Sequence, residues 1–138
     1  MKRTYTGSCH CGAVRFEADL DLSQGSSRCN CSICAKLRYW FAFVPDEEFH
    51  LLQGANALTD YQIKPGSIYH RFCSRCGVKP FGRGIVDELD ADVAGDFYAV
   101  NVACLDNATD EELAEAPVDY LDGRNDDWES EPTETRHL

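Results

Sequence analysis

Seven of the eight cysteines lie in three short clusters whose spacing is typical of metal ligands. The clusters are CHCG at residues 9–12, CNCSIC at residues 29–34 and CSRCG at residues 73–77. A tight turn points neighbouring side chains at one centre, and zinc favours tetrahedral sites whose thiolates arrive in short-spaced pairs. The clustered residues are therefore predicted to bind zinc: Cys9, Cys11, Cys29, Cys31, Cys34, Cys73 and Cys76.

Seven clustered sulfurs divide most naturally into one closed four-sulfur site and one three-sulfur site. A closed site is structural, whereas three ligands leave a tetrahedral position for water or substrate, as a catalytic zinc requires. Spacing alone does not say which cluster joins which. It also leaves open whether Cys104 completes the second site or is a small buried hydrophobic residue in a strand.

Disulfides are the alternative use of eight cysteines in 138 residues. Residues 1–8 (MKRTYTGS) contain two charges but no apolar stretch of the kind that a secretion signal needs. No apolar run approaches the ~18 residues of a membrane helix. A cytoplasmic location is therefore expected, where thiols stay reduced and metal binding is favoured over disulfides.

The elements that would position these clusters are mostly strands. Residues 14–20 (VRFEADL) alternate between apolar and charged, which predicts a strand with one buried face. Residues 39–44 (YWFAFV) form an aromatic and β-branched run that predicts a largely buried strand. Four further strands are predicted at 49–52, 58–63, 67–72 and 97–105, with a loop from Gly82 to Gly95 that contains an acidic stretch at 86–92. The fold class is therefore predicted to be mainly β.

One short helix is predicted near the C-terminus, because Thr109 can cap it and Glu112 follows three residues later. Pro117 limits this helix to about two turns. The interpretation is a single domain at residues 1–123 followed by an acidic tail at 124–138, to which Trp128 offers an anchor.

Charge is distributed unevenly along the chain. The net charge is −11, but residues 1–84 sum to +4 and residues 85–138 to −15. The cysteine clusters thus lie in the basic part, where cations can offset the negative charge of a thiolate site or attract an anionic substrate: Arg28, Lys36, Arg38, Arg71, Arg75 and Lys79. The overall acidity argues against a duplex nucleic-acid partner.

Four segments together resemble the glutathione-dependent formaldehyde-activating enzyme family, which includes centromere protein V. They are GSCHCG at 7–12, CNCSICAK at 29–36, HRFCSRCGVKPF at 70–81 and YAVNVACLD at 98–106, and the resemblance covers about residues 5 to 123. It implies an Mss4-like fold of short antiparallel strands organised around two zinc sites. By motif, Cys9, Cys11, Cys73 and Cys76 match the structural site, whereas Cys29, Cys31 and Cys34 match the open, catalytic site.

The resemblance also implies a carbon–sulfur lyase activity, in which formaldehyde joins the thiol of glutathione. Zinc at the open site would bind the glutathione sulfur or polarise the aldehyde carbonyl. The alternative is a zinc-stabilised module that binds a protein or a small thiol without catalysis. The sequence favours the enzyme, with His10 and His70 as residues that neighbour the clusters.

Overall fold

The computed structural model describes residues 1–89 and 95–138, which form two β-sheets with short helices between their strands. The smaller sheet has the order β1-β2-β5 and the larger has the order β10-β3-β4-β9-β8-β7-β6. The strands in chain order are β1 (Arg3–Ser8), β2 (Arg15–Leu20), β3 (Ser26–Cys29), β4 (Trp40–Pro45), β5 (Phe49–Gln53), β6 (Leu58–Tyr61), β7 (Tyr69–Cys73), β8 (Phe81–Gly84), β9 (Phe97–Asn101) and β10 (Val118–Leu121). The described helices are α1 (Ser32–Leu37), α2 (Val86–Leu89) and α3 (Asp110–Glu115).

The main core lies between the two sheets. Phe16 and Phe49 come from the small sheet and stack at a centroid distance of 5.4 Å. Phe81 and Tyr98 come from the large sheet, and Phe49 lies 3.9 Å from the Tyr98 ring and 4.7 Å from the Phe81 ring. Aromatic pairs of this kind stabilise by about 0.5–1.5 kcal/mol beyond the area they bury. This cluster therefore joins the sheets.

The opposite face of the large sheet carries a second, smaller apolar cluster. In β4, Ala42 and Val44 belong to the main core, whereas Phe41 packs with Tyr39, Ala99 and Cys29 on the other side. This division follows from the two-residue period of a strand. The second cysteine cluster thus lies on the face of the large sheet that looks away from the main core.

The mainly β fold and its Mss4-like character are confirmed. The strands predicted at 14–20, 39–44, 49–52 and 58–63 correspond to β2, β4, β5 and β6. One pairing departs from the antiparallel expectation, because β10 runs parallel to β3, with Val118 opposite Ser26 and Leu121 opposite Cys29.

The strands predicted at 67–72 and 97–105 correspond to β7 and β9, whereas β8 escaped prediction because glycine weakens a strand pattern. The predicted loop from Gly82 to Gly95 was wrong at its start, since β8 (FGRG) is a central strand there. A Cβ atom on Gly84 would clash with the Phe97 ring, so this glycine makes room for the aromatic residue. Residues 90–94 of the acidic stretch lie outside the described residues.

The predicted C-terminal helix is confirmed as α3. The Thr109 hydroxyl accepts a hydrogen bond from the Glu112 N–H at 3.1 Å, and the Glu112 carboxylate accepts one from the Thr109 N–H at 2.7 Å. Glu112 also binds Arg3 at 2.8 Å and the Tyr5 hydroxyl at 2.9 Å, which attaches the helix to β1. Helices α1 and α2 were not predicted, and no helix among the described residues is long and apolar enough to cross a membrane.

We predict that Thr109→Ala lowers the free energy of unfolding by about 1 kcal/mol, because the first turn of α3 loses its cap. Urea unfolding measures the change. Thr133→Ala is the control, since Thr133 is exposed and outside every helix and strand. Equal effects of the two substitutions would contradict a stabilising role for the cap.

Candidate metal centres and active site

The first cysteine cluster is formed by two turns that meet at the end of the core. Cys9 and Cys11 lie in the turn between β1 and β2, Cys73 ends β7, and Cys76 lies in the turn that follows. Their four sulfur atoms all lie within 4.8 Å of one another. The Sγ atoms of Cys9 and Cys11 are 3.7 Å apart, as are those of Cys11 and Cys73. A zinc tetrahedron with Zn–S bonds of about 2.3 Å has edges of about 3.8 Å, so the donor set fits this ion.

Local backbone geometry prepares both turns for thiolates. Gly12 and Gly77 have φ values of +80° and +77°, a conformation in which a side chain would be strained, and this explains the glycine that ends each motif. The Val14 N–H donates to the Cys9 Sγ at 3.3 Å, and the Arg75 N–H donates to the Cys73 Sγ at 3.4 Å. Such donors favour the charged form of a thiol.

The Cys76 thiol is an example of a cysteine whose pKa is lowered by backbone N–H donors. Hydrogen bonds from the backbone N–H groups of Cys11 and Val78 lower the pKa of Cys76 to about 6. A thiolate is the form that binds a metal ion, so this turn is prepared for coordination before any ion arrives. Cys9 and Cys73 are buried whereas Cys11 is exposed, so the cluster lies at the edge of the core.

The second cluster comes from one local segment. Cys29 ends β3, Cys31 is the N-cap of α1, and Cys34 lies within that helix, with the three sulfur atoms inside 4.8 Å of one another. Hydrogen bonds from the thiols of Cys29 and then Cys34 lower the pKa of Cys31 far below its usual value. Interaction first with Cys29 and then with Cys31 raises the pKa of Cys34. Cys31 is thus the first of the three to ionise.

Cys104 belongs to neither cluster among the described residues. The strand predicted at 97–105 ends at Asn101, and Cys104 lies in the following 3-10 turn, Val102–Cys104. Its Sγ is 3.8 Å from the backbone oxygen of Lys79, and burial raises the pKa of its thiol to about 12. The cysteine is a packed core residue, and it does not supply a fourth ligand to the second cluster.

The three cysteines of the second cluster line a cavity of about 540 Å³ on the outer face of the large sheet. Buried residues form its floor, and they come from segments far apart in the chain: Cys29, Tyr39, Phe41, His70, Lys79 and Ala99. Half-exposed apolar side chains form its rim: Phe43, Ile63 and Trp128. A concave, apolar space with a few polar groups at its base is the usual form of a small-molecule site.

Lys79 and His70 are the polar pair on this floor. The Lys79 ammonium donates to the His70 Nδ1 at 2.6 Å and lies 3.7 Å from the centroid of the Tyr39 ring. Burial lowers the pKa of Lys79 to about 8, and the negative charges of Cys34 and Cys31 oppose this shift. Burial and then the Lys79 charge lower the pKa of His70 to about 4, so the imidazole is neutral at pH 7. A buried cation therefore stands beside the three sulfurs.

The other basic residues near the clusters are not part of the cavity lining in the described residues. Arg71 pairs with Asp60 at 2.9 Å, and the guanidinium of Arg28 lies over the Trp40 ring. His10 lies exposed in the turn between β1 and β2. Sequence reasoning thus named six flanking cations as equals, but Lys79 is the one that tertiary packing brings to the site.

Gly123 was missed by the sequence analysis although it packs against the second cluster. A Cβ atom at this position would lie 2.6 Å from the Cys29 Sγ, 2.9 Å from the Trp128 ring and 3.1 Å from the Cys31 Cβ. Only a glycine allows the chain after β10 to pass so close to the sulfurs. Its neighbour Asp122 accepts a hydrogen bond from the Asn30 side chain at 2.8 Å. This bond holds the segment after β10 close to the cysteine cluster.

Comparisons with known proteins agree with this geometry. Residues 4–121 match the family model described as glutathione-dependent formaldehyde-activating enzyme. A protein from Halomonas elongata, provisionally named a glutathione-dependent formaldehyde-activating enzyme, is 38% identical over 80 residues, and the match covers 51% of this chain and 50% of the relative. The chain therefore matches about half the length of that curated relative.

The fold also has a counterpart among solved structures. The crystal structure of a Rhodobacter sphaeroides protein is similar with a TM-score of 0.66 and 30% sequence identity, covering 83% of this chain and 99% of that one. The family match covers both turns of the four-sulfur cluster, all of the three-sulfur cluster and the Lys79–His70 pair. The chain belongs to the glutathione-dependent formaldehyde-activating enzyme family.

Proposed function

We propose that the protein is a zinc-dependent enzyme of the carbon–sulfur lyase type, which forms and cleaves adducts between a thiol and an aldehyde. The reference reaction is that of glutathione with formaldehyde, after which the family is named. The observation that carries the proposal is the convergence of three cysteine sulfurs, a buried lysine and a histidine on one cavity. A purely structural metal site would need neither the cavity nor the buried cation.

The two cysteine clusters take different roles in this proposal. Cys9, Cys11, Cys73 and Cys76 form a closed structural site that clamps two turns together. Cys29, Cys31 and Cys34 hold a second zinc ion with one position left for substrate. When bound there, the ion supplies Lewis acidity, by which a thiol is ionised or a carbonyl is polarised at neutral pH.

The chemical step needs no further reactant. The substrate sulfur forms a bond to the carbonyl carbon, the carbonyl π pair moves to oxygen, and the proton released by the thiol ends on that oxygen. Negative charge develops on oxygen during this step, and the Lys79 ammonium can donate a hydrogen bond to it. His70 and the Tyr39 ring hold the ammonium in place at the floor of the cavity.

We predict that the two metal sites contribute unequally to stability. Cys73→Ser should lower the free energy of unfolding by several kcal/mol, because the first site joins segments 62 residues apart. Cys31→Ser should remove one zinc ion per chain with a small effect on the melting temperature, since its site is formed within residues 29–34. Metal analysis and thermal unfolding measure both effects, and equal loss of folded protein would contradict the division of roles.

Catalysis is tested by exchange NMR of ¹³C-formaldehyde with glutathione and, separately, with 2-mercaptoethanol. The zinc-loaded protein should accelerate exchange between free aldehyde and thiol adduct, and Cys31→Ser should abolish the acceleration. Lys79→Met should reduce it by about 100-fold, because the developing oxyanion loses its donor. Lys36→Met is the matched control, since Lys36 lies outside the cavity lining.

If the zinc-loaded protein accelerates exchange with neither of these thiols nor with an apolar thiol such as hexanethiol, the enzyme proposal fails. A non-catalytic, metal-stabilised binding module is then the better description. If a Lys79→Met variant stays folded and fully active, Lys79 takes no part in the mechanism. The proposed metal-based chemistry would be unaffected by that result.

A further inference from the structure

We propose that the preferred substrate is a thiol–aldehyde adduct that carries an apolar chain or ring, in place of the strongly charged glutathione moiety. The inference rests on the proposed function, because it takes the three-sulfur cluster as the place where the reacting sulfur sits. It extends that function by assigning a substrate class to the cavity around the cluster.

The walls of the cavity are mainly apolar above the Lys79–His70 pair of the floor. Ile33 from α1, Ile68 before β7, Leu89 at the end of α2 and Leu121 at the end of β10 contribute aliphatic surface. Aromatic surface comes from Phe41 and Phe43 of β4. An apolar group that enters this space exchanges water for apolar side chains over much of its surface, and such burial favours binding.

The rim adds a second, independent observation. Phe43, Ile63 and Trp128 are 55%, 55% and 56% exposed, and these three residues from distant parts of the chain line the same cavity. Exposed apolar residues scattered singly over a surface need no explanation, but three that line the same cavity favour a binding site there. We therefore expect the part of the ligand that contacts this rim to be apolar.

Charge complementarity argues against glutathione as the preferred partner. Glutathione carries two carboxylates and an ammonium group, and a carboxylate that leaves water without a partner is strongly disfavoured. Lys79 is the one cation in the described lining, and its ammonium already binds His70 and lies over Tyr39. The lining residues in the described ranges include no arginine, aspartate or glutamate.

The cavity is also large for a one-carbon aldehyde. A volume of about 540 Å³ falls in the range of sites that enclose drug-sized ligands. With the sulfur at the three-cysteine floor, the space above it accepts a substituent of several carbons. This substituent can belong to the thiol or to the aldehyde, and the same apolar walls would bind it in either case.

The first test measures binding of ethanethiol, butanethiol and hexanethiol to the zinc-loaded protein by the fluorescence of Trp128, with Trp128→Phe to identify its signal. Affinity should rise about fourfold per methylene, the increment expected for burial of a CH₂ group. Glutathione should bind more weakly than hexanethiol. A thiol affinity that does not change with chain length would overturn the inference.

The matching alcohols separate this inference from the proposed function. Hexanol keeps the apolar chain but lacks the sulfur, so it should bind with the same chain-length dependence and a lower absolute affinity. If alcohols and thiols bind equally well, the apolar cavity is supported and the sulfur–metal contact of the proposed function is contradicted.

Two variants test the rim directly. Ile63→Ser should weaken hexanethiol binding at least fivefold while leaving ethanethiol almost unaffected. Leu52→Ser is the matched control, because Leu52 is an aliphatic residue of β5 with 52% exposure outside the cavity lining. Ile63→Lys should shift the preference towards glutathione by adding a cation at the opening. Equal effects of Ile63→Ser and Leu52→Ser would count against the inference.

Turnover measurements decide whether the thiol or the aldehyde carries the apolar group. Exchange NMR compares hexanethiol with formaldehyde and 2-mercaptoethanol with hexanal. Faster catalysed exchange in the first pair assigns the apolar group to the thiol, and in the second pair to the aldehyde. If glutathione with formaldehyde exceeds both pairs in kcat/KM, the substrate class proposed here is wrong.

Discussion

The convergence of four sulfurs from residues 9–11 and 73–76 is the contact on which the rest of the architecture depends. It joins the turn between β1 and β2 to the turn between β7 and β8. The small sheet is thereby connected to the β7–β8 hairpin of the large sheet. The chain must close a loop of 62 residues to make this contact, and the entropy of that closure opposes folding. Four neighbouring thiolates also repel one another, so a bound cation is the natural source of compensation.

The large sheet separates two environments that have different tasks. One face packs on the small sheet through the Phe16, Phe49, Phe81 and Tyr98 rings, which gives the molecule its rigid core. The other face carries the three-sulfur cluster and the cavity. Because successive side chains of a strand point to opposite faces, β4 and β9 contribute to both environments at once. Core packing thereby positions the site residues that these two strands carry, Phe41 and Ala99 among them.

The electrostatics of the cavity depend on a single buried cation in the described lining. Lys79 is 7% exposed, and its ammonium is stabilised by the His70 nitrogen, by the Tyr39 ring and by the negative sulfurs nearby. Removing a charge from water is costly unless partners replace the solvent, and here each partner comes from a different part of the chain. The acidic part of the chain, residues 85–138, contributes Leu89, Ala99, Leu121 and Trp128 to this lining, although none of its carboxylates is in the described lining.

Local sequence by itself determined the features that local geometry controls. The cysteine spacings predicted metal clusters, the alternation in residues 14–20 predicted β2, and Thr109 with Glu112 predicted the cap of α3. Glycine-containing strands such as β8 escaped prediction because their neighbours, rather than their own side chains, specify them.

Tertiary structure alone decided which distant groups meet. It separated Cys104 from the second cluster, chose Lys79 from six candidate cations, brought Gly123 against Cys29, and made the cavity wall apolar. These contacts join residues that lie tens of positions apart. The local sequence patterns that predict strands and helices do not predict contacts between such distant residues. They follow from the order of the strands in the sheets and from the parallel pairing of β10 with β3, which only the tertiary structure shows.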